Sequence, residues 1–223
     1  MGTTALLIRH GTVESNSQNR YPGGEDEDLN PEGYIQASRL AERISFIPVT
    51  SIYTSPAKRA RATARTISEY NNIELVEEDD FMEINLGEWE GRYRDEIKKE
   101  WPEKWHQLKT DPSAFAYPGG ESYFQVTERA VRGFNRVMEE NSGKRIAIVS
   151  HEVIICVLVA HMLGVDSSIC PRIEIYNGSI SMVRSVDGVP LLSRLNDISH
   201  LQAQEEYMQK SAGVWVEPTR GEG

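Results

Sequence analysis

The strongest constraint on the fold is an apolar run near the start of the chain that stops at charged residues. Leu6-Leu7-Ile8 is followed at once by Arg9-His10-Gly11. The run predicts a buried strand that carries Arg9 and His10 to the end of a sheet, where Gly11 lets the backbone turn. Ligands bind at that edge in open α/β sheets. Imidazole can be a nucleophile and guanidinium can hold a phosphate, although a basic strand end facing water would show the same residues.

Strands and helices alternate along the chain, which predicts an α/β fold with three layers, α/β/α, and a mostly parallel central sheet. Helix starts are predicted at Asn30-Pro31, at Ser55-Pro56 and after the capping box of Ser122 and Gln125. A last helix, Glu152–Leu163, is predicted to stop at Gly164, and short helices are expected between 81 and 111. The predicted strands cover residues 4–8, 51–53, 73–76, 145–149, 173–176, 181–185 and 191–195.

Composition limits the partners and the compartment. The 223 residues predict a single domain over 1–202 and a polar, loosely ordered extension over 203–223. A net charge of −10 argues against nucleic acid or an anionic membrane as a partner. Cys156 and Cys170 lie among apolar residues, as buried thiols do in a reducing compartment, and no signal peptide is evident. We therefore expect a cytoplasmic protein, for which a homodimer remains compatible with the sequence.

Polar residues follow three of the predicted strands. Arg9 and His10 follow the first, Ser55 and then Arg59 follow the second, and His151 follows the strand 145–149. In a parallel sheet these ends lie at one edge, so two histidines and two arginines would converge on one pocket. A phosphoryl group needs such positive charge on its oxygens and a nucleophile in line. The alternatives are solvated helix charges for Arg59 and a helix-cap role for His151.

The sequence resembles the histidine phosphatase superfamily, in its phosphoglycerate mutase-like branch. The motifs occur in the family's order and cover roughly residues 4–200. Each motif alone is weak, but the ordered set is specific. The matching pieces are Leu7-Ile8-Arg9-His10-Gly11, Asn16, Leu29-Asn30-Pro31-Glu32-Gly33, Ser55-Pro56-Ala57-Lys58-Arg59-Ala60, Glu83, Gly87-Glu88-Trp89-Glu90-Gly91, Pro118-Gly119-Gly120-Glu121 and Ser150-His151.

The resemblance implies a role for each matched site residue. His10 corresponds to the family's phosphorylated nucleophile, and Glu83 to its proton donor. The remaining matches imply phosphate binding by Arg9, Asn16, Arg59 and His151. The implied reaction is hydrolysis of a small phosphomonoester through a phosphohistidine, with a small phosphorylated metabolite as the partner. No metal and no cofactor are implied, because the arginines supply the positive charge.

The sequence also departs from many relatives. Thr12-Val13 stands where many have a polar pair, and Glu152 stands where many have glycine after the second histidine. A carboxylate at position 152 should repel phosphate unless it points away. The cover segment has Lys104 and Lys109 but no paired arginines, unlike cofactor-dependent mutases. A phosphatase is therefore the leading hypothesis, with a phosphoglycerate-type mutase and a non-catalytic phosphate-binding module as the alternatives.

Overall fold

The computed structural model describes residues 2–22, 26–186 and 189–201, and its strands form a single six-stranded sheet. The strands, in chain order, are β1 Thr4–Arg9, β2 Ser51–Thr54, β3 Glu74–Glu77, β4 Arg145–Ser150, β5 Ile180–Val186 and β6 Val189–Asp197. Their order across the sheet is β3-β2-β4-β1-β5-β6. The first four are mutually parallel, and β5 runs antiparallel to both β1 and β6. The prediction of a mostly parallel sheet is confirmed.

Helices cover both faces of this sheet. They are α1 Glu14–Ser17, α2 Pro31–Ser45, α3 Lys58–Asn71, α4 Arg94–Glu100, α5 Pro102–Thr110, α6 Tyr123–Glu140 and α7 Glu152–Leu163. The Asn30 side chain caps α2 by accepting from the Gly33 N–H at 2.9 Å. Ser122 and Gln125 form the expected capping box. Gly164 ends α7 in the left-handed region with φ of 65°.

The core consists of two apolar layers, one on each face of the sheet. Side chains alternate along a strand, so Leu6 and Ile8 pack with Leu40 of α2, while Leu7 packs with the helices of the opposite face. Continuous burial along β1 therefore comes from apolar residues at successive positions, as expected for a central strand covered on both sides. This packing confirms the three-layer architecture.

Two sequence-based element assignments are wrong. Residues 173–176 form no strand: β1 already pairs with β4 and β5, and Ile173 and Ile175 are buried without joining the sheet. The helix expected at Ser55-Pro56 begins at Lys58. The Ser55 N–H still donates to the Val149 carbonyl of β4, so the backbone at Ser55 remains extended alongside that strand. The extension 203–223 lies outside the described residues. No helix of the described part is long and apolar enough to cross a membrane.

Candidate active site

Three parallel strands deliver the polar residues to one edge of the sheet. His10 directly follows β1 and His151 directly follows β4, its neighbour, while Ser55 directly follows β2. The centroids of the two imidazole rings lie 5.1 Å apart with their planes inclined at 62°. Arg59 is the second residue of α3, close enough to contact His10. The structure thus brings together the groups that the strand ends predicted.

Hydrogen bonds fix the tautomer of His10. Its Nδ1 lies 2.7 Å from the Gly11 carbonyl oxygen, which can only accept, so Nδ1 carries the hydrogen. The Arg59 Nε–H donates to Nε2 at 3.2 Å, which requires a lone pair on Nε2. Burial, and then the charges of Arg59 and Arg9, hold the pKa of His10 well below its usual range. At neutral pH the ring is uncharged and Nε2 is nucleophilic.

The backbone around His10 is held from several sides. The His10 carbonyl accepts a hydrogen bond from Asn177 Nδ2 at 3.0 Å, and the Gly11 N–H donates to Thr63 Oγ1 at 3.0 Å. A Cβ at position 11 would lie 2.5 Å from the Gly33 carbonyl oxygen, so only glycine fits there. The sequence interpretation did not single out Asn177, which lies in the loop before β5 and far from His10 along the chain.

Two guanidinium groups flank the His10 ring. Arg59 is only 7% exposed, and its Nη1 lies 3.9 Å from an Asp26 carboxylate oxygen. Arg9 Nη1 donates to the Ile175 carbonyl and lies 3.0 Å from Glu152 Oε2. The Nε of Arg9 is buried and has no hydrogen-bond partner among the described residues. The pair supplies positive charge and free donors beside Nε2.

His151 is fully buried next to the His10 ring. Its Nε2 lies 2.8 Å from the Ser55 hydroxyl, and its Nδ1 has no partner within the described chain. Burial, followed by the charges of Arg59 and His10, holds the pKa of His151 well below its usual range. The ring is neutral, so it can donate a hydrogen bond without adding a formal charge.

Glu83 and Asn16 lie on the wall of the pocket that contains His10. Glu83 is half-buried, and one of its oxygens accepts a hydrogen bond from the Ile84 N–H at 2.9 Å. Burial raises the pKa of Glu83, although that hydrogen bond and Arg59 oppose the rise. The Asn16 side-chain oxygen accepts from Val13 N–H at 3.2 Å, which leaves its amide hydrogens for a ligand.

The Glu83 loop is held by Arg129 of α6, which the sequence interpretation missed. The guanidinium donates to the carbonyls of Asp80, Met82 and Glu83, at 3.1, 2.6 and 3.0 Å. It also forms two hydrogen bonds to the Glu121 carboxylate, at 2.9 and 2.8 Å. Glu121 belongs to the Gly-Gly-Glu motif, which the sequence did single out. Arg129 and Glu121 together fix the backbone from which Glu83 projects.

Three residues at which the sequence departs from many relatives lie in different environments. Val13 packs in a small apolar cluster with Leu29 and Ala37, so it is part of the core. Thr12 donates from its backbone N–H and its hydroxyl to the Gln36 side-chain oxygen. Glu152, in contrast, faces the pocket and pairs with Arg9. It does not point away from the pocket, so its charge is offset by Arg9 rather than by distance.

The pocket extends outward from His10 under the cover formed by α4 and α5. The space within it that water-sized spheres can occupy is about 90 Å³, so the cavity is small. Its outer wall carries Arg94, Lys109 and Glu152 beside three tyrosines, Tyr21, Tyr117 and Tyr123. Lys104 is absent from this wall. In the part of the chain that the structure describes, no three His, Cys, Asp or Glu side chains are grouped to hold a metal ion.

Sequence comparison agrees with this architecture. Residues 5–198 match the model of the histidine phosphatase superfamily, branch 1. Phosphoserine phosphatase 1 of Hydrogenobacter thermophilus is 34% identical over 88% of this chain and 93% of its own. The probable phosphoglycerate mutase GpmB of Shigella boydii is 30% identical over 88% of this chain and 94% of its own.

Structure comparison gives the same result. The solved structure of Bacillus stearothermophilus YhfR superposes with a TM-score of 0.83 at 28% identity, over 89% of this chain and 98% of that one. The fold and the site define an enzyme with an α/β/α sandwich and a histidine at the carboxyl edge of its sheet. The chain belongs to the histidine phosphatase superfamily, branch 1, and its identification as a phosphatase of that family is confirmed.

Proposed function

We propose that this phosphatase hydrolyses small phosphomonoesters through a phosphohistidine on His10 Nε2, without a metal ion. The observation that carries the proposal is the fixed tautomer of His10. The Gly11 carbonyl holds the proton on Nδ1, and the lone pair of Nε2 lies beside the guanidinium of Arg59. A neutral, oriented imidazole next to two cations is suited to attack a phosphate dianion.

In the first step, His10 Nε2 attacks phosphorus and the bond to the ester oxygen breaks. Arg9 and Arg59 offset the charge on the non-bridging oxygens, and the Arg59 Nε–H transfers its hydrogen bond from Nε2 to one of them. Glu83 donates its proton to the departing oxygen, for which its raised pKa is suited. An alcohol leaves, and the phosphoryl group remains on Nε2.

In the second step, water attacks the phosphorus of the phosphohistidine. The Glu83 carboxylate takes one proton from that water, which restores its acid form for the next cycle. The bond between phosphorus and Nε2 breaks, the electron pair returns to Nε2, and inorganic phosphate leaves. The protein is then in its starting state, and no metal or organic cofactor has taken part.

His151 and Asn16 complete the proposed phosphate site. We assign the Ser55 hydroxyl as the donor to His151 Nε2, which places the ring proton on Nδ1, the atom that lacks a partner. That N–H would donate to a phosphoryl oxygen in the transition state. Asn16, whose oxygen is occupied by the Val13 N–H, would donate from its amide group. Both contacts add donors without adding negative charge.

Trapping of the intermediate tests the proposal. Phosphohistidine is stable in base and labile in acid, so brief incubation with a labelled phosphomonoester should leave base-stable label on the wild type. The variant His10→Ala should remain unlabelled and inactive. Equal labelling of His10→Ala would overturn the assignment of the nucleophile, and absence of phosphate release by the wild type would favour a binding module instead.

A mutase is the second candidate, and the basic outer wall favours it. Arg94 and Lys109 could hold the carboxylate of a phosphoglycerate, and GpmB of Shigella boydii is named as a probable mutase. A phosphatase transfers the phosphoryl group to water, whereas a mutase transfers it to a second hydroxyl group. We expect release to dominate, measured as free phosphate against isomerised phosphoglycerate in the same reaction.

We also propose a cytoplasmic location and a small phosphorylated metabolite as the partner. Support for the location comes from Cys156 and Cys170, which are both free and buried. Cell fractionation would check it, and recovery in an oxidising compartment would contradict it. The homodimer stays a prediction that light scattering would test.

A further inference from the structure

The segment 173–179, which leads into β5, holds the backbone of the proposed nucleophile. Asn177 of this segment is buried and donates from Nδ2 to the His10 carbonyl oxygen at 3.0 Å. The next residue, Gly178, donates from its N–H to the Arg9 and His10 carbonyls at 3.1 and 3.2 Å. The His10 carbonyl therefore accepts two hydrogen bonds, as many as its lone pairs allow. Two neighbouring residues of one loop fix the strand end from which the imidazole projects.

The same Asn177 amide reaches a second group of the site. Its Nδ2 lies 3.3 Å from the Asn16 side-chain oxygen, which also accepts from the Val13 N–H at 3.2 Å. An amide oxygen that accepts from two N–H groups has a fixed orientation, since the reversed amide would place its NH2 group against two donors. Asn177 thus favours the orientation in which the NH2 group of Asn16, on the pocket wall, is left for a ligand.

We propose that Asn177 is a positioning residue for phosphoryl transfer, which holds the His10 backbone and the Asn16 amide in one arrangement. The inference rests on the proposed function, because that function places the phosphoryl group between His10 and Asn16. Asn177 is not among the described residues that line the pocket, so it acts through its two partners rather than on the substrate. Groups that are already oriented stabilise the transition state without the cost of reorganisation.

Two substitutions separate this role from simple filling of space. Asn177→Ala removes the side chain, whereas Asn177→Asp keeps its shape and places oxygen atoms against the two acceptors. We expect both variants to lower kcat/KM for p-nitrophenyl phosphate on the order of 10- to 100-fold, the cost of a misplaced reacting group. Asn177→Asp should lose at least as much as Asn177→Ala. A clearly milder effect of Asn177→Asp would mean that only the volume of the side chain matters, and would overturn the proposal.

Inhibition by orthovanadate and by inorganic phosphate gives a readout that loss of packing alone would not move. Vanadate bound to a nucleophile takes the five-coordinate geometry of the transition state, whereas phosphate represents the product. We expect the inhibition constant of vanadate for Asn177→Ala to rise by about the factor by which kcat/KM falls, and that of phosphate to rise much less. Unchanged vanadate inhibition, or equal losses of vanadate and phosphate inhibition, would overturn the proposal.

A double-mutant cycle tests whether Asn177 acts through Asn16. Asn16→Ala removes the amide that Asn177 orients, so Asn177→Ala should cost less kcat/KM in that background than in the wild type. Residues of one hydrogen-bond network show such non-additive effects. Losses that multiply to within about 2-fold would show that the two residues act independently, and would overturn the proposal.

Asn196→Gly is the matched control for loss of a hydrogen bond in the same loop. The Asn196 side-chain oxygen accepts from the Tyr176 N–H at 2.7 Å, a contact that involves neither His10 nor Asn16. Asn196 has a φ of 55°, which glycine adopts without strain. We expect this variant to lower Tm and to leave the ratio of the vanadate and phosphate inhibition constants unchanged.

The outcomes separate this inference from the function on which it rests. Hydrolysis of phosphomonoesters by the wild type, together with Asn177 variants that behave like Asn196→Gly, would overturn the inference and leave the phosphatase mechanism standing. A wild type that hydrolyses no phosphomonoester would overturn both the proposed function and the inference.

Discussion

Removal of the Arg129 guanidinium should lower both the stability of the protein and the rate of acid-assisted ester cleavage. The two losses can be measured independently. The group makes five hydrogen bonds, three to the carbonyls of the Glu83 loop and two to Glu121. In Arg129→Met those carbonyls and the Glu121 carboxylate would lose a charged donor. Met keeps much of the apolar stem, so the change tests the hydrogen bonds rather than packing.

The expected loss of stability follows from burial. Breaking a buried ion pair by removing one partner costs about 3–5 kcal/mol. The Arg129 and Glu121 side chains are 16% and 24% exposed, so water can replace part of the interaction. We therefore expect the free energy of unfolding to fall by about 2–3 kcal/mol. For a domain of this size that corresponds to a fall in Tm of about 4–12 °C.

The same variant should lose activity selectively. Glu83 would be less well positioned, and protonation matters most when the leaving group is poor. An alkyl phosphate should therefore lose on the order of 10-fold or more in kcat, while p-nitrophenyl phosphate should lose much less. Both rates are to be measured well below the reduced Tm. Arg129→Lys should recover part of the stability but only part of the alkyl-ester rate, since lysine cannot form the same fork of donors.

Arg132→Met is the matched control on the same helix. Arg132 pairs with the Asp80 side chain at 2.6 Å, but it is 64% exposed and contacts no carbonyl of the Glu83 loop. We expect a stability change below about 1 kcal/mol and unchanged ester selectivity. If Arg129→Met unfolds at a lower temperature but loses equal activity on both ester types, Arg129 has a purely structural role and the reasoning is refuted.

Three further predictions concern the active site and its pocket. Glu83→Gln should lose on the order of 10²–10⁴ in kcat with an alkyl phosphate and much less with p-nitrophenyl phosphate; small, equal losses would remove Glu83 from the mechanism. Hydrolysis should persist in EDTA, and activity that EDTA abolished and a divalent cation restored would contradict the metal-free mechanism. Burial lowers the pKa of Lys109 to about 8, so its positive charge is present below that pH and lost above it. The kcat/KM for 3-phosphoglycerate should therefore fall relative to glycerol 3-phosphate between pH 7 and 9, and Lys109→Met should show no such relative fall.

The sequence allowed prediction of the sheet and of the residues that meet at its edge. An apolar run that ends in polar residues indicates that a strand is buried and which of its ends reaches the site. Neighbouring parallel strands then bring such ends together. Arg9, His10, Arg59 and His151 could be predicted for this reason. Arg129 could not, because its partners are carbonyls 46 or more positions away, and backbone carbonyls leave no signature in a sequence.

The segment 173–176 shows a second limit. Its alternating pattern correctly indicates that Ile173 and Ile175 are buried, but burial does not specify which backbone groups pair. The sheet had no free edge beside β1, so these residues are buried outside it. Because this backbone does not join the sheet, the Ile175 carbonyl is available to accept the hydrogen bond from Arg9.

The hydrogen bond from His10 Nδ1 to the Gly11 carbonyl has a consequence for the phosphorylated enzyme. Transfer to Nε2 yields a single phosphohistidine isomer, and Nδ1 keeps its hydrogen throughout. With both ring nitrogens substituted, the imidazole carries cationic character and becomes a good leaving group. One backbone carbonyl would therefore first orient the nucleophile and later keep the phosphorus–nitrogen bond labile, so that the covalent adduct is a short-lived species rather than a stable store of phosphate.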